Sequence, residues 1–180
     1  MRISGSHTAA SDVVYAAWYS GAIGASAIAI FFLVRDLLVG TPLATPSVLG
    51  SALFLGEVPG PDAPIRLDLV ALISLVHLAA FAVVGALFAL LLGRLEELQH
   101  RPVVLAAGIF ATLTAGLVAM DFVFLPGIVD AVSPLAVTAG NVVAAVLMTL
   151  FYNYAFNEAS APVPPSDAPT TAPSRPAPPR

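Results

Sequence analysis

The chain contains no cysteine and no lysine. The first absence excludes disulfides, thiolate metal sites, iron–sulfur clusters and cysteine nucleophiles, and it leaves the redox compartment open. The second leaves seven arginines as the whole basic inventory, and charged residues of either sign fill only 10% of 180 positions. Soluble domains carry about 25%, so a water-facing surface cannot be assembled from these residues. A net charge of −4 offers no clustered basic face, so no nucleic-acid partner is expected. The sequence also lacks a nucleophile elbow, a phosphate loop and a His-Glu-x-x-His helix, so enzymatic chemistry is not expected. Nor does it pair its histidines at ligand spacing, so neither a metal nor another cofactor is expected.

What fills the chain instead is apolar: 58% of residues are hydrophobic and the mean hydropathy is +0.92. Lipid-facing surface needs few charges, so the first partner this composition implies is the lipid bilayer. A membrane helix needs about 20 mainly apolar residues, because ~30 Å of hydrocarbon is crossed at 1.5 Å per residue. It must be helical because lipid offers the backbone no hydrogen-bond partners. Four charge-free runs meet this length, bounded by Arg35-Asp36, by Asp68 and Arg94, by Arg101 and Asp121, and by Asp130 and Glu158. They predict spans over about 13–38, 69–93, 102–125 and 134–157. The first is too long for the apolar core of a signal peptide, and Tyr15, Trp18 and Tyr19 suit an interfacial belt, so it reads as a retained anchor. Tyr152, Tyr154 and Phe156 read as the matching belt on the fourth.

The fold expected is an all-α membrane protein, a four-transmembrane-helix antiparallel bundle over 13–158, preceded by an N-terminal segment 1–12. Short connections such as Arg94–Arg101 should make sequential spans neighbours. Between spans one and two, Thr45-Pro46 reads as a helix start, with threonine as N-cap and proline in the first turn. It opens a short interfacial helix over about 46–55. Residues 159–180 are rich in Pro, Ala, Ser and Thr, too poor in apolar groups to offset ordering entropy, and read as a disordered tail. Arg2, Arg94 and Arg101 on one side, against Arg35 and Arg66 on the other, are expected to place both termini in the cytoplasm. Small residues at four-residue spacing (Gly21, Ala25 and Ala29; Gly85 and Ala89; Gly108 and Thr112; Gly140 and Ala144) predict close helix packing.

With this topology the polar residues at depth gather in the outer half: Arg35, Asp36, Ser74, His77, Asp121 and Asn141. His77 lies nine residues past Asp68, about 13 Å down, and Asn141 about 10 Å; the inner half is almost purely apolar. Ionisable groups at such depth face the interior or water. One reading is a structural network, with Arg35 paired to Asp36 or Asp121 and His77 bonded to Ser74, Asn141 or a backbone carbonyl. The other is a pocket for a ligand, ion or proton, which would show as a cavity opening from the outer face to His77.

The stretch Phe32-Leu-Val-Arg-Asp-Leu-Leu-Val-Gly-Thr-Pro-Leu-Ala-Thr-Pro-Ser-Val-Leu-Gly50, followed by His77-Leu-Ala-Ala-Phe81 and Gly85, resembles a family of small uncharacterised bacterial integral membrane proteins. The resemblance implies a four-span fold, brings no activity, and draws attention to Asp36, Pro42, Thr45, Pro46 and His77. Two functions compete. One is a non-enzymatic accessory or scaffold subunit, packing on other membrane subunits or on copies of itself. The other is a small-solute or ion transporter or channel subunit that works as an oligomer through the outer polar cluster.

Overall fold

The computed structural model describes residues 10–60, 62–123 and 132–160. Helices α1 (Ala10–Val39), α2 (Ala44–Leu55), α3 (Leu67–Arg94), α4 (Glu96–Gln99), α5 (Pro102–Val123) and α6 (Pro134–Ser160) account for most of them, and no strand occurs among the described residues. Four of these helices, α1, α3, α5 and α6, are long and apolar enough to cross a membrane. Their bounds follow the charge-free runs to within a few residues. The expected N-terminal segment gives way to helix at Ala10, and α6 runs through Ser160; the rest of the expected tail, and Pro126 with Gly127, lie outside the described residues.

The helix ends have local causes. Gly40, at φ +82°, ends α1 in a Schellman turn: its N–H donates to Leu37 O at 3.1 Å and the Thr41 N–H to Asp36 O at 2.9 Å. A left-handed glycine here satisfies carbonyls the helix would leave orphaned. Gly56, at φ +69°, closes α2 by the same conformation, with its N–H on Ala52 O. Between α3 and α5 the Gln99 side chain folds back to donate to Leu92 O at 2.9 Å, capping the end of α3 as the chain turns through α4.

Packing runs in the order α3, α1, α6, α5, each helix lying mainly on the next, with α2 resting on α3. Sequential spans are therefore not all close neighbours. α3 and α5 touch little, the Phe88 ring meeting Gly108, although only α4 separates them in sequence. The turn fixes where two helix ends meet; which faces then pack is decided by small residues, and these lie elsewhere. A methyl group at Gly21 of α1 would sit 2.7 Å from Cα of Ala82 on α3, and one at Gly85 of α3 2.7 Å from Ala17 O on α1. The two backbones are in direct contact at this crossing, as expected for helices that associate by shape rather than by hydrophobic drive. Gly24 admits Phe81 and Met148 to the centre, and Gly140 faces the rings of Phe31 and Phe32.

The core is apolar, with Phe32, Phe81, Phe88, Leu92, Leu105, Ile109 and Met148 among its members, but the outer surface is apolar too, and small and polar residues share the interior. Buried positions hold Ser20, Asp36, Thr45, Ser47, Ser51, Asn141 and Thr149 beside small residues such as Ala16, Ala25, Ala52 and Ala144. Large apolar groups face outward on every long helix: Trp18, Ile30 and Leu38 on α1, Leu75 and Val83 on α3, Val103 and Phe122 on α5, Leu135 and Leu150 on α6. α2 repeats the pattern, burying Thr45, Ser47 and Ser51 while exposing Phe54 and Leu55.

Candidate functional site

Three polar knots hold most of the buried hydrophilic groups; the Thr149 hydroxyl is buried without a partner among the described residues. The first joins α1 to α2. Asp36, only 1% exposed, accepts the Thr45 backbone N–H through Oδ2 at 2.7 Å and the Thr45 hydroxyl through Oδ1 at 2.7 Å. Arg35 Nη1 donates to Asp36 Oδ1 and to Thr45 Oγ1, each at 3.3 Å. The Thr45 N-cap predicted for α2 is thus corrected. α2 begins at Ala44 after Leu43, which caps it in a left-handed conformation (φ 65°) without a side-chain bond. The orphan N–H of Thr45 in that first turn is met by a carboxylate from another helix, which also suits the positive end of the helix dipole. Left-handed geometry costs a non-glycine residue about 1–2 kcal/mol, which the two short bonds to Asp36 offset. The far end of the connection is tied by Arg66, whose N–H donates to Ser47 Oγ at 3.0 Å. Its guanidinium clasps Asp68 in a bidentate pair at 2.9 and 2.6 Å, and that carboxylate raises the Arg66 pKa.

The second knot joins α6 to α1 and α3, and was not anticipated. Tyr152 of α6, read from sequence as a belt residue, is 1% exposed. Its hydroxyl donates to Gly85 O on α3 at 2.6 Å and lies 2.9 Å from Ser20 Oγ on α1, while Ser20 bonds back to Ala16 O at 2.6 Å. One side chain thus bridges two helices at the glycine crossing, and the expectation of an inner half almost without polar groups is corrected. Tyr154, Trp18 and Tyr19 do face outward. The signal separating Tyr152 from them was available: Ala144, Ala145 and Met148, also buried, lie on its helical face.

The third knot is a single bond, Asn141 Nδ2 on α6 to Thr114 Oγ1 on α5 at 3.3 Å. The six residues expected to cluster are therefore dispersed. Arg35 pairs with Asp36, not with Asp121. Ser74 bonds to Val70 O on its own helix at 2.7 Å. His77 stacks at 4.6 Å on Phe81 and meets the Ala25 backbone across the α1–α3 interface. No hydrogen bond joins it to Ser74 or Asn141, and its Nε2 is buried without a partner among the described residues. Asp121 lies half-buried near the end of α5.

A cleft of about 380 Å³ nevertheless reaches His77, between α1, α2 and α3. Apolar residues make up most of its wall; among the described residues Ser26, Thr45, Ser74 and His77 are its polar groups and no charged one lines it. Thr45 connects it to the Asp36 knot. Ile30 and Leu33 on its wall are exposed, so it opens sideways onto the apolar outer surface. Among the described residues no group of three or more His, Asp or Glu could hold a metal.

No family model, no curated protein and no solved structure matches the chain.

Proposed function

We propose that the protein is a multi-pass integral membrane protein, an antiparallel four-span bundle of the bacterial inner membrane with both termini cytoplasmic, related to the small bacterial family it resembles. Within that membrane it acts as a non-enzymatic accessory or scaffold subunit. The membrane reading rests on the apolar outer surface: area this extensive has no stable partner in water, and close crossings at small residues such as Gly21 and Gly85 are what lipid-embedded helices use to associate.

The observation that carries the scaffold role is the outward face of α5. Ala111, Ala115 and Ala119 recur there every four residues beside Gly116, all exposed, and no described residue of another helix lies within 4 Å of a methyl placed on Gly116. Within the chain, glycine and alanine at this spacing sit where helices meet; on α5 the same device points away from every described helix. It suits a helix of another subunit or of a second copy. The transport reading draws less support, because the Arg35–Asp36 pair and Asn141 are occupied in local bonds and no charged group lines the cleft.

Purification in mild detergent after cross-linking in native membranes tests the proposal. A partner or second copy should be captured through α5, and Ala115→Leu should release it without unfolding the chain. A chain that stays solitary, or a partner indifferent to Ala115→Leu, refutes the scaffold role.

A further inference from the structure

We infer that the cleft where α4 turns the chain from α3 into α5 binds the headgroup of an aminophospholipid, its phosphate held by Arg94 and Arg101 and its ammonium by Glu97. The charges around this turn are unpaired. The other two described arginines each take a neighbouring carboxylate, Arg35 that of Asp36 and Arg66 that of Asp68. Arg94 and Arg101 do not, although Glu97 stands three and four residues from them in the same turn. Among the described residues none of these three makes an ion pair; all three instead line one cleft of about 520 Å³. The turn that carries them is tied down. Leu98 packs on the core, and the Gln99 side chain donates to Leu92 O at 2.9 Å. A carbonyl at the end of α3 that a terminal arginine could cap is thus already met, and Arg94 is left to the cleft.

The height of the cleft fits a lipid head. Arg94 ends α3 and Arg101 immediately precedes α5, which puts both guanidiniums at the boundary of hydrocarbon and headgroups once these helices span a bilayer. Leu95 and Val104 on its wall, and Val103 beside it, are exposed, so hydrocarbon meets charge at this spot. The signs of the charges then select the head. Two guanidiniums match phosphate oxygens through paired N–H donors. Glu97 adds the discrimination: the phosphate of phosphatidylglycerol would lie beside that carboxylate with no cation between them, whereas ethanolamine supplies an ammonium whose N–H groups donate to it. Choline carries the same charge without an N–H. At roughly 30 Å³ per heavy atom a phosphoethanolamine head fills about half of the 520 Å³, leaving room for the glycerol backbone. The site rests on the membrane reading above, not on the scaffold role.

The full chain, purified in a neutral detergent, is offered an equimolar mixture of phosphatidylethanolamine, phosphatidylcholine and phosphatidylglycerol, and the retained lipid is read by native mass spectrometry. One phosphatidylethanolamine per chain should be retained at least fivefold over either competitor. Arg94→Gln with Arg101→Gln should cut retention of every phospholipid at least tenfold. Glu97→Gln should keep retention and erase the preference for ethanolamine, and Arg66→Gln, at the far end of α3, should change neither. Equal retention of the three lipids overturns the site, and so does retention unmoved by the double arginine variant. The first of these is read on the unsubstituted chain and decides even where a variant fails to fold. A preference that survives Glu97→Gln overturns the ammonium contact. Displacement of the lipid by soluble glycerophosphoethanolamine at equal concentration overturns the lipid as the source of the head. A chain that alkaline carbonate strips from native membranes refutes the membrane reading itself, whereas one that stays embedded and shows no lipid preference refutes this site alone.

Discussion

Replacing Asp36 should destabilise the protein more than any other single change to a charged residue, and the geometry says by how much. Hydrogen bonds to a charged group contribute about 1.5–3 kcal/mol each, and Asp36 accepts two short ones from Thr45. The ion pair adds little: at 3.3 Å, with the Arg35 side chain 37% exposed, it belongs with pairs of about 0–1 kcal/mol. Removing the carboxylate also relieves the cost of burying it, so Asp36→Ala should lose about 3–5 kcal/mol. Asp36→Asn keeps one acceptor but turns an amide N–H₂ towards a donor, and should lose about 2 kcal/mol. Arg35→Gln should lose under about 1 kcal/mol. Thr45→Val removes the short hydroxyl bond to Asp36 and the longer one from Arg35 while keeping the backbone bond, so with Asp36→Asn it should show a coupling of about 1–2 kcal/mol in a double-mutant cycle. The assay is reversible unfolding in mixed micelles followed by circular dichroism, together with hydrogen exchange at the Thr45 amide, which should quicken in both Asp36 variants. If Arg35→Gln costs more than Asp36→Asn, or Asp36→Ala costs less than about 1 kcal/mol, the carboxylate is not what holds α2 and the reasoning fails.

Tyr152→Phe leaves Ser20 its bond to Ala16 and should cost about 1–2 kcal/mol in the same unfolding assay; no change would mean the hydroxyl is dispensable. At Gly21 an added methyl meets the Ala82 backbone, which cannot yield as a side chain can, so Gly21→Ala should cost about 1–3 kcal/mol. Gly116→Ala, with open space around it, should instead be neutral or stabilise by up to about 1 kcal/mol. Because the chain has no cysteine, single cysteines at Glu57 and His100 can be labelled without background. An impermeant reagent applied to intact cells should reach the first and not the second, and the reverse result would invert the proposed orientation.

The spans were legible because the bilayer argument is a one-dimensional one: length, charge and hydropathy along the chain set where each helix begins and ends. Asp36 and Tyr152 were misjudged because their roles depend on residues far away in sequence. A carboxylate at the end of an apolar run looks the same whether it faces water or caps another helix; only the 40–44 turn, which returns the chain beneath it, decides. Tyr152 shares a sequence neighbourhood with outward-facing Tyr154, and a two-residue step on a helix turns a side chain by about 200°. The outer cluster dispersed for the same reason. Equal depth along the axis says nothing about which helix face a residue occupies, and Asn141 faces α5 while His77 faces α1.

The Tyr152 bridge bears on how the protein is made. Ribosomal synthesis delivers α1 and α3 well before α6, and these two can pair through Gly21 and Gly85 at once. While they wait, neither exposes an unmet polar group: Ser20 is satisfied within its own helix, and the Gly85 carbonyl lies within the continuous helix α3. The Tyr152 hydroxyl, by contrast, arrives last and finds its partners only at the seam the earlier pair has built. Dependence therefore runs one way along the nascent chain. The first two long helices form a template, and the Tyr152 phenol helps to set the register in which the last one docks.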